Sequence, residues 1–352
     1  MAANTITRGR LRRLAELRPE RGLVLSVFFN LDPSEFATPA ARATEVNSVV
    51  TAAAHKVDEY DGLEHDERQA LRADVERVRE VLRDSAIATN GTHGLAVFAC
   101  GPVGLLEVVR LPHPIESRAI VDDHPCVEPL VRGGSSERWC VLLVNRRTAR
   151  IFTGAADGLE EVDRIVGDTH SQHDQGGWSQ ARYARGIEQE KLNHLGHTLE
   201  TLFGRFKRRP FDHLVVGAPD ELVAEVEERL HPYLRARLAG RIGIDVENSS
   251  PADVRAAAAE VVDRHVAAVE REALDRLRQG IGRGDRGVAR PEAVMEALEQ
   301  ARVEILLLAD DFDAPELDDA LEKAITQSAR VLVVRHHDDL AVHGGIGAVL
   351  RF

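Results

Sequence analysis

No apolar run in this 352-residue chain reaches the ~20 positions that a membrane-spanning helix needs. The first residues also lack the apolar core of a secretion signal. Cysteine is scarce: Cys100, Cys126 and Cys140 are an odd number with no CxxC pair, so neither a disulfide framework nor a zinc site is indicated. Positive charge is in deficit. A formal net charge of −13 argues against a generally adhesive nucleic-acid coat protein. The glycines of residues 280–287 (Gly-Ile-Gly-Arg-Gly-Asp-Arg-Gly) have no Lys-Ser/Thr after them and follow a helical pattern rather than a strand, which excludes a phosphate loop. No spacing supports a Ser-His-Asp or Cys-His constellation, and there is no long repeat or low-complexity tail. The expectation is a cytoplasmic protein with no membrane partner, no metal and no cofactor.

Hydrophobic residues make up 43% of the chain and charged residues 29%, and the length is too great for one ordinary core, which suggests two or three domains. Residues 1–132 read as an α/β domain. A short basic helix around 10–17 precedes the apolar strand Leu23-Val24-Leu25-Ser26-Val27-Phe28-Phe29. Val46, Val50, Ala53 and Val57, then Leu71, Val75, Val78 and Leu82, keep the 4-3-4 spacing of helix faces. Residues 94–99 and 105–109 read as paired strands, and the proline-rich run from 112 to 129, with the Gly-Gly-Ser-Ser turn at 133–136, reads as a linker. Residues 133–280 begin with two strands, 139–144 and 149–152, around the tip Arg146-Arg147, with a third near 159–166. A buried strand at 214–217, a helix from Asp220, a strand near 242–246 and a long helix follow, the pattern of a mixed sheet covered by helices. Residues 280–287 read as a second linker. Residues 281–352 alternate helix and strand in a small α/β/α layer.

One stretch stands apart. The polar run at 167–174 ends in Gln175-Gly176-Gly177-Trp178-Ser179-Gln180-Ala181-Arg182-Tyr183-Ala184-Arg185. From there Leu192, Leu195, Leu199, Leu202 and Phe206 recur on one helix face. Adjacent glycines permit positive φ and close backbone approach to another surface. Gln175 and Gln180 flank them with amides that donate and accept. Arg182 and Arg185 lie three apart, where two guanidinium forks can grip successive phosphates. Residues 175–209 hold seven basic side chains against three acidic ones, +4 in a chain whose remainder carries −17. The basic end, Lys207, Arg208 and Arg209, also suits the helix dipole without any ligand.

Taken in order, these motifs resemble a family. The Gly-Gly block before a long helix looks like the Gly-Gly-Gln loop of archaeal and eukaryotic class I peptide chain release factors. Residues 294–311 look like the start of the third domain of those factors. The terminal Gly-Gly-Ile-Gly-Ala-Val-Leu-Arg-Phe is similar to the closing signature shared with Pelota-type rescue factors. The bacterial branch of this superfamily, with Gly-Gly-Trp-Ser-Gln, is the nearest in pattern, and is related to a eukaryotic quality-control peptidyl-tRNA hydrolase or endonuclease. The resemblance covers about residues 137–352. It implies an α/β protein of three domains, at 1–132, 133–280 and 281–352. The second would be RNase H-like and the third an L7Ae-like α/β/α layer. It also implies the ribosome, rRNA, tRNA or peptidyl-tRNA and a translational GTPase as partners.

Carried over position by position, Gly176 and Gly177 shape a loop entering the peptidyl transferase centre, and Gln180 is the candidate catalytic glutamine. Gln175, on the other side of the glycines, is a second candidate. Trp178, Arg182, Arg185, Lys207, Arg208 and Arg209 are candidate RNA contacts. The N-terminal domain has no recognisable codon-reading motif, so the expected activity is codon-independent: ester hydrolysis or tRNA-end cleavage, with non-catalytic occupation of the tRNA site during dormancy as the alternative. Trp178 serves equally as a base-stacking platform or a buried anchor. His170 and His173 read as solvated loop residues rather than acid–base groups. The run His336-His337-Asp338-Asp339 reads as a polar turn rather than a metal site, and Asp310-Asp311 as the end of a strand.

Overall fold

The computed structural model describes residues 8–84, 92–111, 113–132, 137–156, 158–167, 180–335 and 338–352. It is a mixed α/β chain, with three sheets among the described residues, gathered into two compact units, Met1–Ser136 with Val269–Phe352, and Glu137–Ala268.

The first sheet is built from β1 (Val24–Asn30), β2 (Gly94–Cys100), β3 (Leu105–Leu111) and β4 (Arg118–Asp122), in the order β3-β2-β1-β4. All its pairings are antiparallel. Side chains alternate across a strand, and both faces here are apolar. Leu25, Val27, Phe29, Leu95 and Val97 pack under α2 (Pro39–Glu59) and α3 (His65–Asp84). Phe28, Ala96 and Phe98 face α1 (Arg8–Ala15) and α4 (Glu128–Arg132) on the other side. Two ion-pair centres hold that second layer. Glu107, 7% exposed, takes Arg10 on one oxygen and Arg13 at 2.6 Å on the other. Glu128 takes Arg118 and Arg132 in the same way.

The proline-rich stretch is therefore not a bare linker. It contains β4, an edge strand paired with β1, and α4. Prolines are tolerated because they flank β4 rather than interrupt its ladder.

In the unit from 137 to 268, β5 (Trp139–Val144) and β6 (Thr148–Gly154) form a hairpin whose exposed tip carries Arg146 and Arg147. Strand β7 (Glu160–Val166) extends the antiparallel side. After α5 (Gln180–Arg208), β8 (His213–Gly217) pairs parallel with β5. Helices α6 (Asp220–Arg229) and α7 (Pro232–Arg235) lead to β9 (Leu238–Ile242), parallel to β8. The sheet order is β7-β6-β5-β8-β9. Leu195, Leu199 and Leu202 of α5 pack with Leu222 and Val226 of α6 on one face. Val254, Ala258 and Val261 pack on the other. They belong to α8 (Pro251–Arg283).

Strand β9 lies four residues earlier than the expected strand near 242–246. Gly240 hides it in the sequence. A Cβ there would stand 2.6 Å from Val261 Cγ1, so the glycine serves helix approach rather than a turn.

The third sheet contains β10 (Gly287–Ala289), β11 (Val303–Ala309), β12 (Arg330–Val334) and β13 (Ile346–Leu350), in the order β10-β13-β11-β12. Helices α9 (Pro291–Glu299) and α10 (Leu317–Thr326) cover one face. Ala273, Leu274 and Leu277 of α8, with Leu340 of α11 (Asp338–Ala341), cover the other, which is the expected α/β/α layering.

The second expected linker, at 280–287, is corrected. Helix α8 continues to Arg283, and Gly287 opens β10. A Cβ on Gly280 would sit 2.5 Å from the Arg286 carbonyl carbon, and one on Gly287 would sit 2.6 Å from Leu277 O. The glycines let the helix end and the strand cross backbone to backbone.

Candidate functional site

Helix α5 carries the candidate site residues that are described. Its 29 residues span ~42 Å at 1.5 Å per residue. It begins at Gln180, so Gln180 opens the helix and Arg182 and Arg185 lie within its first two turns. Gln175, Gly176, Gly177 and Trp178 lie outside the described residues, as do His170 and His173; for Gln180, Arg182 and Arg185 only the backbone is described.

The described side chains that bury on α5 begin at His194 and run through Leu195, Thr198 and Leu199 to Leu202. His194 packs beside Gly167 and the hairpin residue Thr148. Burial is the main cause that holds its imidazole below the usual histidine value, so it sits there neutral near pH 7. Lys191 pairs with Glu225 of α6 at 3.0 Å. The apolar spacing predicted the inner face correctly at Leu195, Leu199 and Leu202, while Phe206 is half-buried in an aromatic cluster with Phe203 and Phe211.

The other end of α5 is basic, and the structure brings together more cations there than the sequence singled out. Lys207 is exposed, with Nζ 5.0 Å from the centre of the Phe203 ring. Arg208 and Arg209 line an open pocket of about 100 Å³ together with Arg205 and Arg138, over a floor that includes Cys140 and Leu202. Arg138 precedes β5 and lies more than 60 residues from the others in sequence. Its place is set by the paired starts of β5 and β8. Its backbone N–H donates to Asp212 Oδ2 at 2.8 Å, its guanidinium donates to Pro210 O at 3.0 Å, and its carbonyl accepts from Asp212 N at 2.7 Å.

Two carboxylates adjoin the four arginines. Asp163 of β7 forms an ion pair with Arg205, which also donates to Val162 O at 2.7 Å. That pairing is the first cause holding the Asp163 carboxyl below its usual value. Asp212 spends one oxygen on the Arg138 backbone. Arg208 donates through Nε to Gly204 O at 3.3 Å. Among the described residues neither Arg208 nor Arg209 has a carboxylate within ion-pair distance. Burial first, and the Arg209 charge second, lower the Arg138 pKa. The other arginines with a resolved shift, Arg205, Arg241 and Arg276, are raised by carboxylate partners. This end of the unit thus collects unneutralised positive charge around a concave surface.

The remaining sequence candidates lie in or beside the third sheet. Asp310 and Asp311 follow β11, and the Asp310 N–H donates to Val334 O at 3.2 Å. His336 and His337 lie outside the described residues, and Asp338 opens α11. Among the described residues, one group has ligand atoms close enough to hold a metal: Asp122, Asp123 and His124, within 4.8 Å of one another. Its histidine is already turned onto Asp123, Nδ1 to Oδ1 at 2.5 Å, and no metal is assigned to it. No described helix is long and apolar enough to cross a membrane.

Residues 125–270 match the model of a family described as Bacterial archaeo-eukaryotic release factor family 10. The resemblance read from the Gly-Gly block is borne out over this stretch. Among curated proteins, the Peptide chain release factor subunit 1 of Methanopyrus kandleri is 26% identical over 221 residues, 59% of this chain and 52% of that one. The chain thus spans about half the length of that curated relative. Among solved structures, an archaeal translation termination factor, aRF1, is 19% identical with 99% of each chain covered, at a TM-score of 0.29. A structure described as ribosome-bound archaeal Pelota and ABCE1 is 14% identical, covers 100% of this chain and 95% of that one, and has a TM-score of 0.44.

Proposed function

We propose that this chain is a ribosome-associated translation factor that acts on peptidyl-tRNA independently of the codon, with Gln180 as its catalytic amide. The observation that carries the reading is the coincidence of two things on one segment: the family match over residues 125–270 and a 29-residue helix that starts at Gln180, directly after the Gly-Gly block. The expected partners are the ribosome, its rRNA, tRNA or peptidyl-tRNA, and a translational GTPase. The RNase H-like and L7Ae-like assignments of the second and third sheets, and the three-domain division at 132 and 280, belong to the same reading.

In ester hydrolysis, water attacks the carbonyl carbon that joins the peptide to the tRNA ribose. A tetrahedral oxyanion forms, and the ribose oxygen then leaves with a proton. A glutamine amide can orient the water through its carbonyl and donate to the developing oxyanion through its NH2, as can backbone N–H groups of a glycine loop. Neither an amide nor a backbone N–H is a strong base, so the proton transfers fall to surrounding RNA groups. Removal of one such donor typically costs ~10²–10³ in rate.

Single-turnover release of labelled peptide from stalled ribosome–peptidyl-tRNA complexes tests the reading, with the tRNA resolved on a denaturing gel. Wild type is expected to release peptide and leave the tRNA intact, and Gln180→Ala to slow release by ~10²-fold or more while binding ribosomes unchanged. If Gln175→Ala takes the loss instead, the catalytic role moves to the other flank of the glycines. Shortened tRNA assigns nuclease action. Binding with peptide and tRNA both untouched overturns catalysis and leaves occupation of the tRNA site.

A further inference from the structure

The arginine pocket lies at the opposite end of α5 from the catalytic candidate. Arg208 stands 28 positions after Gln180 within one helix, ~42 Å at 1.5 Å per residue. One nucleotide cannot touch both ends.

The pocket has the chemistry of a phosphate site. Guanidinium groups present planar forks that match phosphate oxygens, and four of them surround one concavity. The bland alternative is helix-end capping, since cations near the last turn suit the dipole. Capping accounts for Arg208, which donates to Gly204 O. It does not account for Arg138, which comes from a different element and is held there by Asp212 and Pro210. Nor does it account for Arg209, which raises the cost of the Arg138 charge. A protein gains no stability by adding a third and fourth guanidinium to a site with two carboxylates, because the like charges repel.

We propose that Arg138, Arg205, Arg208 and Arg209 form a phosphate-binding site that takes a phosphodiester of an RNA backbone, some 40 Å along α5 from Gln180. The proposal rests on the reading of the chain as an RNA-engaging factor and adds a second anchoring point to it. Arg208 and Arg209, exposed, supply the outer grip. Arg138 and Arg205, half-buried and fixed by backbone carbonyls, supply the rigid part.

The test is equilibrium binding of the full chain to a fluorescein-labelled RNA stem-loop of about 24 base pairs, followed by anisotropy across a salt series. Wild type, Arg208→Gln/Arg209→Gln and the control Arg264→Gln are compared; Arg264 is exposed on α8 and donates to Glu260 O of its own helix at 3.1 Å. The double variant is expected to bind about tenfold more weakly and to lower the slope of log affinity against log salt by about one to two. Equal affinity in the double variant and the control overturns the site. Inorganic pyrophosphate, titrated calorimetrically into the same proteins, separates the sources of phosphate. Competition between pyrophosphate and the stem-loop supports the RNA assignment. Pyrophosphate binding that the double variant loses while its RNA affinity stays intact assigns a small phosphorylated solute instead, and overturns it. Peptide release by wild type is independent of these outcomes. A chain that binds RNA through the pocket and releases nothing sinks the catalytic reading alone.

Discussion

Arginine is used in two opposite ways in the two compact units of this chain. At Glu107 and Glu128 the carboxylate is the buried member, and each of its oxygens takes one arginine. The cations there close around an anion that the chain itself supplies. At the end of α5 the arginines are the lining, and one ion pair, Arg205 with Asp163, is formed among the four. The ratio of arginine to carboxylate is two to one in both places, so counting charges does not tell them apart. What differs is which sign sits at the centre. A buried anion enclosed by cations is complete, and removing it harms the fold. A concave surface lined by cations attracts an anion from outside, and removing one of those cations harms binding.

The largest effect that sharpens this contrast is expected at Glu128. Its side chain is 12% exposed and bridges Arg118 to Arg132, and Arg132 also donates to the carbonyls of Asp310 and Phe312. Glu128→Gln removes the charge and leaves two guanidiniums facing each other. The expected loss is roughly 2–3 kcal/mol, below the full cost of orphaning a buried charge because the arginines keep some solvent. Urea denaturation of the two proteins measures it. A loss under about 0.5 kcal/mol, the range of an ordinary surface substitution, contradicts the structural role assigned here.

The same contrast explains what the sequence disclosed and what it withheld. The continuous apolar run of β1, buried on both faces, and the period-3.6 spacing in α2, α3 and α5 were legible because burial enforces them residue by residue. Strands β4 and β9 were missed or displaced for a shared reason: their local residues serve a neighbour rather than the strand. Prolines flank β4, and Gly240 makes room for Val261. Residues 280–287 imitated a linker because two glycines were needed for one backbone crossing. At the site, the basic island of α5 was visible as a local charge excess. The pocket was not, because Arg138 joins it only through the parallel pairing of β5 with β8, a contact across more than 60 residues that no local pattern reports. Gln175, Gly176, Gly177 and Trp178 lie outside the described residues.

A smaller effect is expected at Asp163, where the two uses of arginine meet. Its folded pKa lies below the ordinary 3.8, first through the hydrogen bond from Arg205. A carboxylate with a depressed folded pKa contributes stability that is present above its unfolded value, about pH 4, and is lost as pH falls through the folded value. Asp163→Asn is therefore expected to lower stability by about 1 kcal/mol at pH 7, as for a partly exposed pair. It should also flatten the part of the acid-denaturation curve that lies below pH 4. The same change frees Arg205 and removes a negative charge from the pocket rim, so pyrophosphate should bind about threefold tighter at low salt, with the gain fading as salt screens it. Weaker binding in this variant would mean that Asp163 orients Arg205 for the anion instead of competing with it.

The smallest stability effect is expected where the largest binding effect is sought. Arg208→Gln/Arg209→Gln removes two exposed cations, of which Arg209 crowds Arg138, and neither has a carboxylate within ion-pair distance among the described residues. Melting of the free protein should shift by no more than the equivalent of about 0.5 kcal/mol, in contrast to the loss at Glu128. With millimolar pyrophosphate present, wild type should melt higher than it does alone, because a ligand that binds only the folded state stabilises it by mass action. The double variant should not show that rise. If instead the double variant is as destabilised in plain buffer as Glu128→Gln, the arginines at the end of α5 are fold-holding like those of the other unit, and the distinction between an enclosed anion and an anion-seeking surface fails at its own test case.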